Sequence, residues 1–169
     1  IYDVLPAYNA FQDPNMSIPQ KITNITGITN EMVAGHSIDL NIVQDMLENA
    51  VLVIAHNAAF DRPFCEHLSD IFASIAWGCS YAEIPWQVEG IESSKLEYLA
   101  YRYGFFYEGH RAEIDCQAGI EILSRSLPKS GTSALKTLLD SARQPMVRIW
   151  AEHAPFDSKE LLKQRGYRW

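Results

Sequence analysis

The chain has 169 residues, of which 47% are apolar or aromatic, and a formal charge of −7; that suits one folded domain with at most a small appendage, able to bury about two-thirds of its unfolded surface. The acidic balance excludes the electrostatic footprint of a protein that coats DNA, but not an enzyme that holds metal ions with carboxylates. No apolar segment approaches the roughly 20 residues that span a bilayer, the N-terminus lacks the order of a signal peptide, and Cys65, Cys79 and Cys116 have no paired spacing, so they read as reduced, buried thiols of a cytoplasmic protein without membrane contact.

Ile1 to Tyr8 reads as a strand, and the stretch to Pro19 as a loop broken by Pro14 and Pro19. Short helical turns are expected around Thr26-Gly27-Ile28-Thr29. Asp39 is placed to cap a helix whose apolar positions Ile42, Val43, Met46, Leu47 and Ala50 recur with helical spacing. Val51 to Ala55 is wholly apolar, the pattern of a strand buried on both faces. Because Pro63 lacks a backbone donor and suits only a first helical turn, the next helix is expected to start near Phe60 or Asp61. Phe64, Cys65, Leu68, Phe72 and Ile75 would form its apolar stripe, with Asp61 at the head.

Trp77 to Ser80 suits a short strand. Ser94-x-x-Glu97 is the pattern of a capping box opening a helix with Leu96, Leu99, Ala100 and Tyr103 on one face and Gly104 at its end. A helix from about Arg111 to Leu127 follows the aromatic loop Phe105-Phe106-Tyr107, with Ala112, Cys116, Gly119, Ile120 and Leu123 as its stripe and Asp115 in phase. Another runs from about Thr132 to Ala142. Residues 144–169 carry five Lys or Arg against three Asp or Glu, so this segment is +2 and the rest −9. It reads as the start of a small second unit after a first unit of residues 1–143. Asp157-x-x-Glu160 would cap its helix, Phe156 would staple onto Leu161, Gly166 would end it, and Tyr167-Arg168-Trp169 would enter a strand. Its mixture of basic and aromatic residues around Arg148-Ile149-Trp150 and Arg165 to Trp169 suits nucleic acid; a solvated amphipathic helix is the plainer reading.

Two carboxylates stand out. Asp61 and Asp115 each head a helix in phase with residues that should face the core, and a desolvated carboxylate is costly unless paired, hydrogen-bonded or bound to a cation. Favourable placement at helix N-termini is the bland alternative. His110 lies five residues before Asp115, about 140° away on a continuous helix, so the two converge only if His110 sits in the loop after Gly109. A loop histidine beside a carboxylate-bound metal is suited to general-base work, its ordinary pKa lying near neutrality. A zinc site from His56, His110 and Cys116 lacks closed ligand spacing.

The stretches "AHNAAFD" at 55–61 and "HRAEID" at 110–115 resemble, in order, the second and third motifs of the DnaQ-like 3′–5′ exonucleases, in the histidine-bearing DEDD class related to the proofreading subunit of bacterial DNA polymerase III. The likeness includes the Gly-Ile-Thr turn at Gly27 to Thr29 and the helix after Ser94, and spans about residues 1 to 127. The tyrosine-bearing class would need Tyr where Arg111 stands. The resemblance implies an α/β fold of the ribonuclease H-like type, a mixed sheet flanked by helices, that hydrolyses phosphodiesters from a 3′ end to release nucleoside monophosphates. It implies Asp61 and Asp115 as ligands of two Mg²⁺ or Mn²⁺ ions, and His110 as the base that activates water. Gly27, Ile28 and Phe60 would approach the terminal nucleotide of a single-stranded DNA or RNA 3′ end, with core packing the other fate of Phe60. His56 and Asn57 join the candidate substrate contacts, Asn57 having the alternative of satisfying backbone groups at the strand-to-helix junction.

The family's first motif, Asp-x-Glu on the central strand, occurs nowhere in the 169 residues. The chain also opens on Ile1. Both features lead to the expectation of an N-terminally truncated fragment, weak or inactive by itself, of an active protein that would have a DNA polymerase among its possible partners. The competing reading is a catalytically dead nuclease-like module that binds nucleic acid or a polymerase.

Overall fold

The computed structural model describes residues 4–145 and 151–167. Residues 4 to 10 run irregularly, which corrects the strand expected there: a strand persists only where its backbone groups are paired, and this segment has no ladder partner among the described residues. Helices α1 (Gln20–Thr26) and α2 (Asn30–Val33) flank the Gly27-Ile28-Thr29 turn. α3 (Leu40–Leu47) is capped as expected, Asp39 accepting the Asn41 N–H at 2.9 Å, yet none of its residues is buried.

β1 (Val53–Ala55) is shorter and less buried than expected. Val51 is 86% exposed and all three β1 residues are only half-buried. α4 (Ala58–Leu68) and α5 (Ile71–Ser74) then lead to β2 (Trp77–Cys79), which pairs with β1 in parallel, Val53 opposite Trp77 and Ala55 opposite Cys79. The single stripe expected from Phe64 to Ile75 is therefore split between two helices. Phe72 is buried on α5, whereas Phe64 on α4 is 68% exposed.

The core lies on the other side of β2, between the segment after it and α6 (Leu96–Arg102), α7 (Ala112–Ser124) and α8 (Ala134–Ala142). Trp86, Ile91, Leu99, Ile122, Leu127 and Leu138 are fully buried there, each contributing about 1.5–3 kcal/mol by leaving water. Gly78 lets α8 approach the sheet: a Cβ there would stand 3.2 Å from Leu138 Cδ2 and from Leu52 Cδ2. Polar groups are satisfied as burial demands. The Trp86 indole donates to the Ser80 carbonyl at 2.8 Å, and buried Glu89 accepts the Lys129 and Ser130 N–H groups at 2.8 and 3.0 Å.

α7 departs from its expected stripe. Ala118 and Ile122 are the buried residues, while Ala112, Cys116, Ile120 and Leu123 line an open groove of about 1220 Å³ with Val43 and Met46 of α3, Ile54 of β1 and residues 4–10. Two apolar faces thus share one helix: Ala118 and Ile122 are buried and Leu123 packs partly against the core, while Ala112, Cys116 and Ile120 are exposed on the groove.

Beyond residue 145, a 3₁₀ turn at Phe156–Ser158 precedes α9 (Lys159–Gln164), and Gly166 at φ +83° follows. The expected capping box is not made, because Ser158 is the N-cap and its side chain makes no cap bond. Nor does Phe156 bury itself as a staple; its exposed ring sits under the Lys159 ammonium, 5.1 Å from the centroid, and Leu161 is exposed too. Arg148, Ile149, Trp150, Arg168 and Trp169 lie outside the described residues. Among those described, no helix is long and apolar enough to cross a membrane.

Candidate active site

The junction after β1 positions the first carboxylate. Asn57 takes φ +72° and ψ +51°, a left-handed conformation that asparagine tolerates better than most residues, and this turn starts α4 at Ala58. The side chain of Asn57 makes no cap hydrogen bond, so its service to the junction is conformational and not the backbone satisfaction considered from sequence. The earlier start also corrects the expectation for Pro63, which lies inside the helix and not in its first turn. Asp61 stays in that first turn, half-buried. Desolvation holds its carboxyl above the usual range, opposed by its own backbone N–H, and no ion pair to it forms among the described residues.

The second carboxylate sits on the first turn of α7, as expected for Asp115. The loop before it turns back through His110, whose φ of +70° is left-handed and whose side chain is 60% exposed. His110 Nε2 lies 3.8 Å from Glu97 Oε1. Gly109 is the close point of this loop: a Cβ there would come within 3.4 Å of Glu97 Oε1, 3.5 Å of Tyr107 Cε2 and 3.6 Å of Asp115 Oδ1. The Tyr107 phenol is pushed up to about 12, first by desolvation and then by the neighbouring Asp115 and Glu97 charges. Glu97 and Tyr107 were missed from sequence. Glu97 was assigned to a capping box, but α6 opens at Lys95 with no side-chain cap, and Ser93 instead accepts the Lys95 N–H at 3.3 Å.

Cys116, next to Asp115 on α7, has its thiol raised in part by both carboxylates. It is exposed as a residue, yet desolvation is the largest cause raising its thiol, followed by Asp115 and then Asp61. Cys65 is likewise raised by desolvation and by Asp61. Neither these thiols nor half-buried Cys79 is the fully buried residue expected from sequence, though all three are free.

The remaining candidates divide between inside and outside. The His56 ring is turned inward, Nδ1 lying 3.0 Å from Ser80 Oγ and the ring edge-on to Tyr81; desolvation lowers its pKa, against the Ser94 carbonyl and Asp115. Its Nε2 is buried without a hydrogen bond of good geometry. Phe60, in contrast, is 64% exposed, its ring against that of Phe64 with centroids 5.4 Å apart, so core packing is not its fate. Gly27 closes α1 at φ +70°, and Ile28 beside it is half-buried.

The exonuclease family represented by RNase T matches residues 3–123. The chain belongs to the DnaQ-like exonucleases. It is also 33% identical over 135 residues to a PolC-type DNA polymerase III of Clostridium perfringens (strain 13 / Type A), a match covering 75% of this chain and 9% of that protein. The chain thus spans a small fraction of the length of that curated relative. No solved structure matches significantly. Family membership implies the ribonuclease H-like α/β fold, with which the parallel β1–β2 pair and surrounding helices are consistent, and a nuclease acting on nucleic acid.

Such enzymes generally depend on divalent metal. The residues here suit that in donor type: Asp61 is a partly desolvated carboxylate with no ion pair among the described residues, and carboxylate oxygens are the ligands Mg²⁺ and Mn²⁺ prefer. They make only part of a site, since no group of three His, Cys, Asp or Glu among the described residues is close enough to hold an ion.

Proposed function

We propose that the chain is the greater part of a metal-dependent 3′–5′ exonuclease domain of the histidine-bearing DEDD class, with Asp61 and Asp115 as two of the metal ligands and His110 as the general base. The supporting observation is that the second and third motifs, far apart in sequence, place Asp61 and Asp115 each in the first turn of a helix, and that the left-handed turn at His110 follows Gly109, where a Cβ would lie 3.6 Å from Asp115 Oδ1. His110 would take the proton of the attacking water, whose oxygen adds to the terminal phosphorus as the 3′ oxygen leaves. Two bound Mg²⁺ or Mn²⁺ ions would supply charge stabilisation for the attacking and leaving oxygens. Gly27, Ile28, Asn57 and Phe60 are assigned to the terminal nucleotide of a single-stranded DNA or RNA end, and His56 to supporting the turn from behind.

The other ligand pair is assigned to an Asp-x-Glu strand outside these 169 residues. The edge of β1 away from β2, which has no strand partner among the described residues, and the apolar groove beside Ile54 suit an added strand. The 169-residue chain alone should then be weak or inactive, and residues 144–169 the start of an appended unit. The PolC-type relative makes a polymerase a reasonable partner.

The test uses the intact gene product with Mn²⁺ and a 5′-labelled single strand. Stepwise shortening is expected, and His110→Ala should slow it by about 10²-fold or more; a near-wild-type rate would remove the base assignment. Asp115→Asn should abolish metal-dependent activity with the fold intact. A protein that binds the strand without shortening it would instead be the catalytically dead module, a reading that the missing Asp-x-Glu keeps in play.

A further inference from the structure

Arg111 lies next to His110 and is absorbed by none of these roles. It is the N-cap residue of α7, and its exposed side chain forms no ion pair among the described residues. The guanidinium reaches across to the end of α1: a methyl group at Gly27 would stand 3.4 Å from Arg111 Nη2. One cation therefore bridges the His110 loop and the Gly27-Ile28 turn, which belong to separate elements and are both candidate substrate contacts. The same region is acidic: Glu113 and Asp115 stand in the first turn of α7, and Glu97 Oε1 and Asp115 Oδ1 lie 3.4 and 3.6 Å from where a Cβ of Gly109 would be. A nucleic-acid strand approaching these carboxylates is repelled unless a fixed cation meets its backbone, and a planar guanidinium suits two phosphate oxygens at once.

We propose that Arg111 is a substrate-binding residue that holds a phosphodiester of the incoming single strand between the Gly27 turn and the His110 loop. This rests on the exonuclease reading above, and the experiment separates the two. Binding of a 5′-fluorescein oligothymidylate to the intact gene product is followed by anisotropy in EDTA at several salt concentrations, and turnover is measured separately with Mn²⁺. Arg111→Ala should weaken binding at least 10-fold and make the log–log salt dependence shallower by about 0.7, the share of one phosphate contact on a single strand. Its KM should rise more than its kcat falls. Arg111→Lys should recover part of the affinity and the full salt slope, because it keeps the charge and loses the fork.

Unchanged affinity and salt slope in Arg111→Ala would overturn the proposal. A lowered unfolding midpoint with unchanged affinity would do the same, by making Arg111 a cap for the carbonyl end of α1. Should the intact protein bind the strand but fail to shorten it with Mn²⁺ while Arg111→Ala loses affinity, the hydrolytic reading falls and the phosphate contact stands.

Discussion

Asn57 occupies the backbone position on which the geometry of the first carboxylate depends. At φ +72° an ordinary L-residue is disfavoured by about 1–2 kcal/mol, and glycine is not. Asn57→Ala should accordingly lower unfolding free energy by about 1 kcal/mol in a urea titration, while Asn57→Gly should stay within a few tenths of wild type. A substrate role would show separately, as lost oligonucleotide affinity in the stable glycine variant. Tyr107 gives a second prediction. Its phenol is held neutral in the fold, up to about 12, so its contribution is complete below the ordinary tyrosine value near 10 and fades as pH rises through about 12. Asp115→Asn should remove part of that alkaline loss, read from thermal midpoints between about pH 9 and 12. At this scale the sequence marks out candidates by position. Asp61 and Asp115 betrayed themselves as charges in phase with apolar stripes, and His110 by the break after Gly109. Glu97, Tyr107 and Arg111 did not, because their placement arises from a loop folding back onto other elements, which residue spacing along one helix does not encode.

Helix α4 shows what a single misplaced boundary does. Proline's fit to a first helical turn predicts a start near Phe60 or Asp61, but the left-handed turn at Asn57 starts the helix at Ala58 and leaves proline inside. Pro63 removes the N–H that would bond the Ala59 carbonyl, a loss of up to about 3 kcal/mol in a helix interior, offset in part by about 0.4–1 kcal/mol of chain entropy. Pro63→Ala should stabilise the protein by about 1 kcal/mol or more in chemical denaturation, and a loss of stability would show that the helix is built around the proline. The sequence pattern identified most helices, and the Asp39 cap, correctly. It could not decide which apolar stripe is covered. On α7 the spacing selects Ala112, Cys116, Gly119, Ile120 and Leu123, yet Ala118 and Ile122 are the buried residues, with Leu123 partly packed beside them, because both stripes are apolar and the neighbours, α6 and α8, determine which is packed.

For the whole molecule, the two sides of α7 predict different behaviour. On the packed side, Glu89 joins the segment after β2 to the Lys129-Ser130 turn, and the Ser130 amide holds its carboxyl below the usual range. A carboxylate with a lowered folded pKa adds stability that is present above its unfolded value near 4.5 and lost as pH falls through the lower folded one. Glu89→Gln should therefore flatten the acid side of the stability profile below about pH 4.5. On the open side, Val43, Met46, Ile54 and Ile120 line a groove whose apolar surface belongs to a domain core in chemistry but not in coverage. Exposed apolar patches of that kind bind hydrophobic dyes and other chains. The folded 169-residue chain should enhance anilinonaphthalene sulfonate fluorescence at neutral pH while still unfolding cooperatively, which separates it from a molten globule. Met46 and Ile120 are each about half exposed, so replacing them with glutamate sacrifices little buried area. Met46→Glu with Ile120→Glu should abolish most of the dye signal and leave the unfolding midpoint nearly unchanged. A folded chain that binds no dye would mean that the two helices close over β1 in solution, leaving no place there for another strand.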